Sequence, residues 1–102
     1  MKINNLNVDA EKIGAGLYDI ICEKGEEAIV AFGMIPKWII DLAERLIREK
    51  IIAIAAEQQQ TTPAELAPYV DEQSIKETVR AISHEVVLAI FATASKRGAL
   101  RV

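Results

Sequence analysis

Polar side chains recur at Gln73, Lys76, Glu77, Arg80 and His84, the spacing of one wet helix face. One turn on, the same stripe reads Val87, Leu88 and Phe91. The opposite seam is Ile75, Val79, Ile82, Val86, Ala89 or Ile90, and Thr93. Its alternating steps of three and four are the pattern of near-parallel helix packing. Together the two stripes predict one long helix over about 72–97, capped by Asp71. Lys96 and Arg97 sit at its negative end, and Gly98 follows as a stop. The tail "ALRV" carries no periodic face.

A second long helix is predicted over about 36–58, with Pro36 in its first turn. Its seam is Ile39, Leu42, Ala43, Leu46, Ile47, Ile51 and Ile54. Asp41 with Arg45, and Glu44 with Arg48, are four-apart pairs that decorate its first half. After Lys50, "IIAIAA" is apolar on every side until Glu57. Both long helices thus begin with a polar back and finish without one. A helix that is apolar all round is a helix buried all round.

Shorter elements precede and join these two. A helix from about Asp9 to Lys24 can be capped by Asn7 or Asp9 and ended by Gly25. Its apolar face is Ala10, Ile13, Leu17, Ile20 and Ile21. Gly14 and Gly16 each weaken it by about 1 kcal/mol relative to Ala, so it needs packing to persist. The same "GAG" is no phosphate loop, since no strand precedes it and a third glycine is missing. "EEAIVAF" predicts a short helix closed by Gly33. In the connection, Thr62 with Pro63 and Glu65 forms a capping box for a single turn, which Pro68 interrupts.

These elements imply an all-α fold: one helical bundle over residues 1–102, two long helices preceded by two shorter ones. Of the 102 residues, 51% are hydrophobic, a high share for a chain with so poor a surface-to-volume ratio. The expectation is a bundle completed by dimerisation. Val87, Leu88 and Phe91 would face the second copy, together with Ile51, Ile52 and Ala55 from the apolar half of the other long helix.

Charge narrows the partners. A net charge of −3 disfavours nucleic acid, whose binding rests on basic surface. "PAELAPYVDEQSIKETVRAI" compares with a helix-turn-helix, but its second helix presents Glu72 and Glu77 beside Lys76 and Arg80 alone. A DNA-binding regulator is therefore the weakest reading. Cys22 is the one cysteine, which fits a reducing cytoplasm and a role as a small core hydrophobe. The opening "MKINNLNVDAEK" has no apolar stretch of signal-peptide length, and no run approaches the roughly 20 residues of a membrane span.

Candidate chemistry is sparse. His84 is the lone histidine, and its neighbour Glu85 points elsewhere because adjacent helix positions diverge. No glutamate stands three residues before His84, so the di-iron bundle pattern is missing. Glu23, Glu26 and Glu27 read as a solvated carboxylate cluster, and no metal or cofactor is expected. The leading function is a non-enzymatic, homo-oligomeric interaction module (an adaptor, chaperone or regulator) whose partner is itself or another protein. The alternative is a small-molecule-binding bundle or enzyme with a pocket near Tyr18, Trp38, Tyr69, Arg80 and His84.

Overall fold

The computed structural model describes residues 8–98, and every regular element among them is helical. Asn7, one of the two expected caps, and the "ALRV" tail lie outside the described residues. Helix α1 spans Ala10–Glu23, and its first turn is closed by the Asp9 carboxylate, which accepts from the Lys12 amide at 3.0 Å. The chain leaves it through Gly25 at φ +70°, a left-handed conformation that glycine adopts without strain. Helix α2 is the short Glu27–Ala31.

Helix α3 spans Lys37–Gln58, with Pro36 standing just before it rather than inside its first turn. Helix α4, Pro63–Leu66, is capped by Thr62 and runs into a single 3-10 turn at Ala67–Tyr69. The capping box is half made. The Thr62 hydroxyl accepts from the Glu65 amide, while the Glu65 carboxylate takes the neighbouring Thr61 hydroxyl at 2.7 Å. Helix α5 spans Glu72–Lys96, capped by Asp71.

The core follows the predicted seams. Ile39, Ala43, Ile47 and Ile51 of α3 are buried, as are Ile75, Val79, Val86 and Ile90 of α5 and Leu17 and Ile21 of α1. Helix α5 is the common partner: it packs most extensively on α1 and also on α3. Three polar ties fix the ends. Arg48 of α3 grips Glu72 at the start of α5 with bonds of 2.6 and 2.8 Å. Arg97 pairs with Asp19 at the far end of α5. The Trp38 indole donates to Glu26 at 2.8 Å, holding the start of α3 against the α1–α2 corner.

The ion pairs expected along α3 are replaced. Arg48 turns across to Glu72 instead of back to Glu44, because a bidentate carboxylate fixes the guanidinium better than a flexible neighbour on the same helix. Asp41 sits 4.0 Å from Lys37 rather than pairing with Arg45. The molecule is elongated, 46 × 22 × 21 Å, with a radius of gyration of 15.1 Å. A compact domain of this length would have about 13 Å.

Candidate functional site

Two apolar helix halves needed covering, and each finds a cover within the chain. The late half of α3 is met by α4. Leu66 and Val70 enter the same core cluster as Ile51, Ala55 and Ala56. Ile51 and Ala55 consequently belong to the core, and Ile52 packs against it half-buried. Those three residues, expected at a subunit contact, offer little free surface.

The late half of α5 is met by α1, and here the approach is close. A Cβ placed on Gly14 would stand 2.5 Å from the Ala89 Cβ and 3.0 Å from the Ala89 backbone. No side chain fits between the two helices at that crossing. Beside it the surfaces part into an open groove of about 730 Å³. Its floor and walls include Ala15 of α1 with Leu88, Ala92 and Thr93 of α5. Glu11, Lys12, Glu85 and Lys96 stand along its rim.

Of the expected contact residues on α5, Phe91 is half-buried against the core and Val87 is half-buried. Leu88 remains 56% exposed. The polar stripe at Gln73, Lys76, Glu77, Arg80 and His84 is exposed throughout, as its sequence demands. Between stripe and seam, the Ser83 hydroxyl is sealed from solvent without a hydrogen-bond partner.

The five residues suggested for a ligand pocket do not converge. Tyr18 is buried beneath Arg97, whose guanidinium lies 5.4 Å from the ring centre. Its phenol is pushed above the ordinary tyrosine range, first by burial and then by a hydrogen bond with the Cys22 thiol. Trp38 is tied to Glu26, Tyr69 is exposed on the connection, and His84 is exposed on α5. Arg80 lines a shallow groove with Asp41, Glu44 and Arg45. A different cleft, about 540 Å³, opens between α1 and α3 over Ile13, Leu17, Ile20, Leu46 and Ala53.

Cys22 is exposed, not a core hydrophobe. The buried face of α1 runs through Gly14, Leu17, Tyr18 and Ile21, and one further residue turns the chain by about 100° toward solvent. Among the described residues no three His, Cys, Asp or Glu side chains gather as a metal-binding set, so Glu23, Glu26 and Glu27 do not form one. No helix among them is long and apolar enough to cross a membrane.

Two exposed apolar residues were not singled out from sequence: Phe32, 86% exposed, and Met34, on the link between α2 and α3. Their signal was present in "AFGMIPKW", where apolar residues cluster in a segment too short and too interrupted by Gly and Pro to bury them.

Compared with family models, curated proteins and solved structures, the chain matches none of them.

Proposed function

We propose that this chain is a non-enzymatic interaction module that associates with a second copy of itself through the late face of α5. The carrying observation is Leu88, a large apolar side chain more than half exposed beside an alanine-lined groove, on a helix whose other large apolar residues are buried or half-buried. Burying a leucine fully stabilises by roughly 1.5–3 kcal/mol, so the exposed fraction contributes about half of that per chain. Association costs at least about 4 kcal/mol in lost freedom. Two leucines alone do not close that gap. The alanines of the groove and the rim charges must add to it, and the dimer is accordingly expected to be weak and concentration-dependent.

Sedimentation equilibrium tests the reading. The wild type should shift from monomer toward dimer across the micromolar range, and Leu88→Glu should remain monomeric with an unchanged far-UV spectrum. Leu88 is surface in the single chain, so the charge leaves folding intact and acts on assembly. A well-folded wild type that stays monomeric throughout the micromolar range overturns the proposal.

A second reading has one observation in its favour. The cleft over Ile13, Leu17, Ile20, Leu46 and Ala53 is apolar and falls in the size range of small-molecule sites. Saturable, stoichiometric binding of a hydrophobic fluorescent probe, abolished by Leu46→Glu in a folded variant, would favour it.

A further inference from the structure

We infer that two copies of α5 meet antiparallel, about a two-fold axis, with Glu85 of each chain paired to the partner subunit's Lys96. The inference rests on the self-association proposed above and adds to it the direction and register of the contact. The exposed positions Ala81, Glu85, Leu88, Ala92 and Ser95 are spaced by four, three, four and three, so they form one narrow stripe along α5. Besides the charged Glu85, the stripe is small except at Leu88. Glu85 and Lys96 lie on the same flank of it, both on the rim of the groove beside α1.

Symmetry then selects the arrangement. In an antiparallel two-fold pair, residues on one flank of a helix meet the same flank of its partner, reversed end for end. Glu85 and Lys96 stand on either side of the level of Ile90 and Phe91, so a reversal centred there brings the acid of each chain to the base of the other, twice. The same register sets Leu88 against the partner subunit's Ala92, a large side chain over a small one. A parallel two-fold pair instead puts opposite flanks together at equal height. Leu88 would then crowd its own copy, and Glu85 and Lys96 would be left apart. Opposite charges at matched positions favour one register and penalise others.

Charge reversal tests this in the full chain, with far-UV circular dichroism confirming fold. Glu85→Lys and Lys96→Glu should each weaken the wild-type dimer about tenfold at low salt, because each reversal places like charges together at both symmetric pairs. The double variant, carrying both reversals, should recover most of that loss. Added salt should shrink all three differences. A dimeric wild type whose single variants are each weakened but whose double variant is not restored overturns the register and leaves self-association standing. Single reversals without effect on a dimeric wild type overturn the register in the same way. A monomeric wild type overturns both.

Discussion

Along its early half, α5 meets α3 through long side chains; along its late half it packs on α1, and at one crossing there almost no side chain stands between them. The first contact joins Ile75 and Val79 to Ile47 and Ile51 in the core and is pinned outside by Arg48 and Glu72. Such an interface can adjust, because long side chains can change rotamer. At its closest, the second contact sets the Gly14 backbone directly against the methyl and backbone of Ala89. It gains closeness and gives up any room to adjust. A glycine that weakens a helix in isolation is here the condition for docking it, and the two glycines of α1 separate these effects. At Gly14 an added Cβ collides, whereas at Gly16 it meets nothing within 4 Å.

The largest effect is expected at that crossing. Gly14→Ala should destabilise by about 1–3 kcal/mol, the usual cost of overpacking, even though alanine is the better helix former. Urea unfolding should show the loss, and Gly14→Leu should be worse, with α1 undocked. If Gly14→Ala raises the midpoint, the helices are not in close contact.

Gly16→Ala should move the other way. With open space at the site, only the helix preference remains, and a gain of up to about 1 kcal/mol follows. A thermal midpoint higher by several degrees is the expected reading. Opposite signs from one substitution at positions two residues apart would be hard to obtain from any other placement of α1.

The smallest effect belongs to the adjustable half. Arg48 holds the Glu72 carboxyl below the usual glutamate range, chiefly through their hydrogen bond. A carboxylate with a lowered folded pKa contributes its full stabilisation above the unfolded value and loses it as pH falls through the folded one. Both groups are exposed to solvent, so the contribution is small. Acid titration of stability should therefore be slightly steeper in the wild type than in Arg48→Ala, with the wild type slightly the more stable at neutral pH. A steeper profile in the variant would contradict the pairing.

Much of the fold was legible because helix ends are local chemistry. Asp9, Thr62 and Asp71 each cap the helix that their position announces, and the apolar seams need only a count of three and four. What covers an apolar face is not local. "PAELAPYV" looks like a linker, yet its Leu66 and Val70, four apart, turn inward and close the late half of α3. That is why Ile51 and Ala55, expected at a subunit contact, stand in the core instead. Cys22 follows the same logic in reverse: beside the buried Ile21, it falls just past the edge of the packed face. The end of the polar stripe at His84 does mark a change of surroundings: Val87 and Phe91 are half-buried. Leu88 alone of the three stays exposed, beside the groove that α5 shares with α1.

The chain has one indole, and Trp38 is bonded to a glutamate at the corner where α1, α2 and α3 come together. Intrinsic fluorescence from this protein is therefore a local gauge. It follows whether the start of α3 stays seated on Glu26. An emission shift on heating that precedes the loss of helical ellipticity would time the opening of that corner separately from the melting of the long helices, with no label attached.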